Sequence, residues 1–101
     1  MQVFNRVNEL KQKVEQNYGC KLNVFSVYAP NIKSEAQAYR EGDSSGHYTL
    51  AFKQREPEDY VIVHELAHVV CWEVEGLDDH DNHGKEWMRV YEELEDVCGL
   101  V

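Results

Sequence analysis

The residues best suited to chemistry in this chain are His64 and His68, four apart, with Glu65 beside the first, in the stretch His64-Glu65-Leu66-Ala67-His68. On an α-helix, positions four apart share a face, one turn from each other. Both imidazoles can then reach one metal ion, and the neighbouring carboxylate can reach a water held by that ion. The chemistry of such a set is metal-assisted hydrolysis. A zinc ion lowers the pKa of its water to about 7, and the carboxylate takes the proton as that water attacks a carbonyl. The same carboxylate can pass the proton to the leaving amine. The surroundings favour this over a chance pattern. From Tyr60 to Trp72 the other residues are Tyr, Val, Ile, Val, Leu, Ala, Val, Val, Cys and Trp. A helix apolar nearly all round is a buried one, and a buried carboxylate must be paired, protonated or close to a metal.

Two histidines do not complete a catalytic zinc site, which takes three protein ligands and leaves a fourth position for water. The candidates for the third are His80, His83, Asp78, Asp79, Asp81 and Cys71. His83 leads them. It opens the last predicted helix after a loop long enough to fold back, and Gly84 beside it permits close backbone approach. Trp87, one turn on, can pack into the core and hold that imidazole. His80 and the aspartates stay open as alternatives, whereas Cys71 reads as a core residue. Three imidazoles suit one zinc ion (Zn2+) per chain. The developing oxyanion needs one donor besides the metal, and Tyr39, Tyr48, Tyr91 and His80 are candidates.

The elements that must position this set follow from periodicity. Val3, Phe4, Val7, Leu10, Val14 and Tyr18 recur at helical spacing and Gly19 supplies a stop, which predicts an amphipathic first helix. Leu22 to Tyr28 is rich in β-branched and aromatic residues and predicts a strand. Ala36 to Arg40 is a short second strand, and the turn cluster 41–46 makes it a hairpin partner of His47 to Lys53. There Tyr48, Leu50 and Phe52 fall on one face. The segment His47 to Lys53 is also the expected edge strand for aligning a peptide substrate by β-addition, with Thr49 and Ala51 opposite its apolar face. Pro57 fits the first turn of the motif helix, with Glu58 and Asp59 where the helix dipole favours negative charge. Gly76 is placed to end that helix, and an acidic loop leads to a last helix from near His83, striped by Trp87, Val90, Tyr91, Leu94 and Val97. The sum is an α+β protein: helix, small antiparallel sheet, motif helix, loop, helix.

At 101 residues the sequence predicts a single domain over 1–101. No stretch reads as a signal peptide, and no apolar run approaches the roughly 18 residues of a membrane span. The three cysteines, Cys20, Cys71 and Cys98, are odd in number and widely spaced, so no disulfide framework is expected. This fits a reducing, cytoplasmic setting, or the host cytoplasm for a viral or prophage-encoded protein. Nineteen acidic against 10 basic residues leave a formal charge of −9. Grip on nucleic acid needs cations to neutralise phosphates, so no strong DNA or RNA binding is expected of the isolated chain, and no membrane association. His47 reads as an exposed strand residue, and Glu92, Glu93, Glu95 and Asp96 as a solvated helix face.

The pair His64-Glu65-Leu66-Ala67-His68 and His83-Gly84-Lys85-Glu86-Trp87 resembles the SprT-like (Spartan) zinc metallopeptidases, in which H-E-x-x-H is followed after a variable loop by H-G-x-x-aromatic. The hairpin Ala36 to Lys53 and the apolar run into the helix also resemble that core, so the likeness covers residues 36–97. It implies a zincin-like fold, His64, His68 and His83 as zinc ligands, Glu65 as the catalytic residue, and a protein or peptide substrate. Members commonly carry a zinc ribbon after the protease core, and no C-x-x-C pair follows here. The eukaryotic members cleave proteins crosslinked to DNA and bring DNA-binding segments. This acidic chain, without a basic cluster, differs from them there. The competing expectation from another class is a non-catalytic, zinc-stabilised acidic module acting as a DNA mimic or partner inhibitor. A hydrolase acting on other bonds is a third.

Overall fold

A computed structural model describes residues 4–41, 46–76 and 84–101. Three helices, α1 (Asn5–Tyr18), α2 (Asp59–Glu73) and α3 (Lys85–Val97), combine with strands β1 (Asn23–Tyr28), β2 (Ala36–Glu41) and β3 (His47–Phe52). The α+β class is therefore as expected. The sheet is not purely antiparallel. Its order is β1-β3-β2, with β1 parallel and β2 antiparallel to β3.

The mixed pairing has a local cause. The link 29–35 is too long for a tight hairpin, so β1 and β2 run in opposite directions with a gap between them, and β3 fills it. The link is stitched down as it goes: Ala29 N–H donates to the Phe52 carbonyl at 2.8 Å and Lys53 N–H to that of Glu35 at 3.0 Å. One consequence overturns a sequence expectation. β3 is paired along both edges, so it is the central strand and offers no free edge to a substrate. Among the described residues, the outer edges of the sheet belong to β1 and β2.

The alternation in β3 sets the core. Tyr48, Leu50 and Phe52 are all buried and meet the helices, while Phe25, paired with Thr49 on the opposite face, is 68% exposed. Helix α1 adds Val7, Leu10 and Val14, and the Phe4 and Phe52 rings lie 5.5 Å apart. Gly19 ends α1 in the left-handed region at φ 67, where a side chain would be strained. The Glu15 carboxylate then accepts from Leu22 N–H at 2.7 Å and Lys11 Nζ at 3.3 Å, fixing the exit into β1. At the other end, Arg6 donates through Nε and Nη2 to Asp59 at 2.9 and 2.7 Å, tying α1 to the first turn of α2.

Helix α2 packs against α1, α3 and β2. Pro57 lies just ahead of it rather than in its first turn, because Glu58 takes the N-cap position. The helix ends at Glu73 with Val74 as its C-cap, two residues before Gly76. Helix α3 begins after Gly84 and buries Trp87, Val90 and Leu94. Cys20, Cys71 and Cys98 are all free thiols. Among the described residues no helix is long and apolar enough to cross a membrane.

The sheet should thus be one-sided energetically. Leu50→Ala is expected to lower the unfolding free energy by about 3 kcal/mol, as for a large-to-small change in a packed core. Phe25→Ala should change it by less than about 0.5 kcal/mol. Urea unfolding measures both, and equal losses would mean that the outer face is covered too.

Candidate functional site

Helix α2 is buried on nearly every side, with Val61, Ile62, Val63, Leu66, Ala67, Val69, Val70 and Cys71 in the core. One row is the exception. Tyr60, His64, His68 and Trp72, each four residues on, are exposed or half-buried, so they form a single stripe along the helix. Residues that could bind something are therefore presented on the one open face of an otherwise buried helix.

Within the stripe the His64 and His68 rings stand 5.7 Å apart between centroids, and 35% of the His64 side chain is open to solvent. Aromatic rings hold both imidazoles. Trp87, from the first turn of α3, lies 4.7 Å from His64 and 5.6 Å from His68. Tyr91, one turn further, stacks on Trp87 at 5.0 Å and approaches His64 at 6.1 Å. On the far side Trp72 lies 6.1 Å from His68 and stacks on Tyr48 at 5.7 Å. The Tyr48 hydroxyl donates to Glu73 at 2.8 Å. It is therefore a buried structural group rather than an oxyanion donor. Tyr39 is exposed on β2 with its hydroxyl on Gln37. Of the tyrosines considered for that role, Tyr91 is the one at the imidazoles.

Glu65 sits beside the stripe and is 5% exposed. Among the described residues its one ion-pair contact is His64 Nε2, at 4.0 Å. Desolvation pushes its pKa up from 4.5 to about 7, since burial penalises the charged form. Glu65 and His64 line a common cavity of about 260 Å³ with residues 34–36, Tyr60 and Val61. Tyr60 and Glu35 were not legible as site residues. The signal for Tyr60 was its place one turn before His64 in the same row, whereas Glu35 reaches the site only through the fold. Cys71 is fully buried, with its thiol pushed up to about 11 by burial, which agrees with a core role.

The remaining ligand candidates, Asp78, Asp79, His80, Asp81 and His83, lie outside the described residues. Among the described residues no three His, Cys, Asp or Glu side chains gather closely enough to hold a metal by themselves.

The fold and this face define an α+β protein whose central helix presents His64 and Glu65 to a cavity, with His68 one turn along the same face. The chain belongs to the SprT-like family: a model of that family matches residues 47–100, a span containing both parts of the paired motif. No curated protein and no solved structure matches the chain.

The raised Glu65 pKa has a definite sign in the metal-free chain. A carboxyl that holds its proton more tightly folded than unfolded stabilises the fold at low pH, and that contribution is lost as pH rises from about 4.5 to about 7. The loss amounts to roughly 3 kcal/mol. With chelator present, the stability of Glu65→Gln relative to the parent should therefore grow by about that much between these limits. Urea titrations at several pH values measure it, and a difference independent of pH would contradict the burial argument.

Proposed function

We propose that the protein is a zinc-dependent metallopeptidase of the cytoplasm, with His64, His68 and His83 as ligands of one zinc per chain and Glu65 as general base. The observation that carries this reading is the placement of His64 and the buried Glu65 carboxylate on one cavity, with the His68 ring 5.7 Å from that of His64 on the same open stripe of α2. The donor chemistry fits the ion. Two imidazoles on a tetrahedral zinc at 2.0–2.1 Å put their ring centroids roughly 5 Å apart, close to the 5.7 Å observed. Glu65 alone carries a cost that a nearby cation would remove. His83 adjoins Gly84, the N-cap of α3, and Trp87 of that helix already touches both rings. This connectivity supports His83 over His80 and the aspartates. Membership of the SprT-like family supports the same set.

When bound, zinc would supply an acidified water and a Lewis acid for the scissile carbonyl. The chain's own residues do the rest. Glu65 takes the proton from the attacking water and delivers it to the departing amine. Tyr91 is the side chain best placed to donate to the oxyanion. A substrate strand is aligned by the open edge of β2, which follows residues 34–36 of the cavity wall. The sheet order supports β2 over β3 for this role, because β3 is paired along both edges.

Glu65→Gln should reduce peptide hydrolysis by about 10²–10⁴-fold while retaining about one zinc per chain by elemental analysis after dialysis. His64→Ala and His68→Ala should each lose the metal, and His83→Ala should weaken it far more than His80→Ala. Hydrolysis that survives Glu65→Gln, or zinc that survives both histidine changes, would overturn the assignment.

A further inference from the structure

Two indoles stand beside the His68 imidazole: Trp87 of α3 at 5.6 Å and Trp72, one turn on in α2, at 6.1 Å. Trp87 closes the second part of the paired motif, whereas Trp72 belongs to neither part. Trp72 is half-buried, and its support is the sheet. Its ring lies nearly parallel to that of Tyr48, at 10° and 5.7 Å, an offset stack. Tyr48 is itself fixed, buried in the central strand β3 with its hydroxyl donating to Glu73 at 2.8 Å.

Consecutive residues at the end of α2 thus hold one tyrosine, Trp72 by its ring and Glu73 by its hydroxyl. Glu73 closes the helix, where a carboxylate opposes the helix dipole. Its bond to Tyr48 offsets that cost, and no basic side chain stands in the last turn to do so. The connection also runs onward. Tyr48 is the register partner of Arg40 in β2, the strand proposed to align the substrate.

We propose that Trp72 is a positioning residue: seated on Tyr48, it holds the His68 imidazole in one orientation for zinc and ties that ligand to the substrate-aligning sheet. The inference rests on the peptidase reading of the site and adds to it a residue outside the paired motif. Packing is what Trp72 supplies. A ring free to turn must be ordered when the metal binds, whereas a packed ring is ordered beforehand.

Two pairs of variants of the full chain test it. Trp72→Leu keeps apolar bulk and loses the flat ring, and Trp72→Phe keeps a ring. Zinc affinity from chelator competition should fall roughly 10–100-fold in Trp72→Leu, as for groups that orient a ligand from behind, and less than about threefold in Trp72→Phe. In the metal-free chain, three-bond couplings should show a single His68 χ1 rotamer in the parent and in Trp72→Phe. In Trp72→Leu they should show averaging at His68, with His64 unchanged. Glu73→Ala and Glu73→Gln remove the same charge from an exposed position, but glutamine can still accept from Tyr48. Glu73→Ala should therefore weaken zinc about fivefold more than Glu73→Gln. With zinc saturating, Trp72→Leu should lower kcat for peptide cleavage and leave KM within about twofold.

A single His68 rotamer with parental zinc affinity in a folded Trp72→Leu chain overturns the inference. So does equal zinc affinity in the two Glu73 variants, which decide the matter if Trp72→Leu unfolds. A rise in KM alone makes Trp72 a substrate contact and overturns it as well. A parent that binds no zinc overturns the peptidase reading, and the rotamer measurement still decides whether Trp72 positions His68.

Discussion

Burial of the Glu65 carboxylate is the constraint on which this structure turns. A charge at that position is held in the most apolar helix of the chain, with a single imidazole at 4.0 Å as its ion-pair contact among the described residues. The side chains that make the core leave it only 5% exposed. Such a group must stay protonated or meet positive charge. Its pKa of about 7 in the absence of metal marks the balance point, and a cation beside it would tip it to the ionised, basic form. Fold stability and chemistry therefore pull against each other at one residue, as is common where a site is built into a core.

The rest of the architecture serves the exposure of one stripe. Helix α2 can be apolar on nearly all sides because α1, α3 and the sheet cover it, leaving, besides its two end residues Asp59 and Glu73, the row through Tyr60, His64, His68 and Trp72. Helix α3 contributes Trp87 and Tyr91 as a wall against the imidazoles. Trp72 and Tyr48 close the other end, with the Tyr48 hydroxyl pinned by Glu73. Rings packed on both sides restrict the rotamers of both histidines, which is the preorganisation a metal or substrate site needs.

Much of this was legible from residue order. The i, i+4 histidines inside an apolar run identified α2, its burial and its chemical face, because helical periodicity is a local property. The first helix, the core face of β3 and the core role of Cys71 were read in the same way. What escaped was set by non-local pairing. Nothing in His47 to Phe52 says that β1 lies parallel along its other edge, so its alternation alone predicts an edge strand of an antiparallel sheet rather than the centre of a mixed one. Tyr48 was a candidate donor until burial and its bond to Glu73 removed it. Glu35 was invisible as a site residue because it lies far from the motif in the chain and reaches the cavity only through the link between β1 and β2. His83, which the resemblance implies as a zinc ligand, falls outside the described residues.

In the proposed site His64, His68 and one further imidazole hold a zinc whose remaining position is open to water next to Glu65. X-ray absorption at the zinc edge of the loaded, purified chain addresses it directly. The expected result is a first shell of four light atoms at about 2.0–2.1 Å, with outer-shell scattering from three imidazole rings and none from sulfur, the non-imidazole atom being exchangeable. A sulfur at about 2.3 Å, or a closed shell of four protein ligands with no exchangeable position, would contradict it.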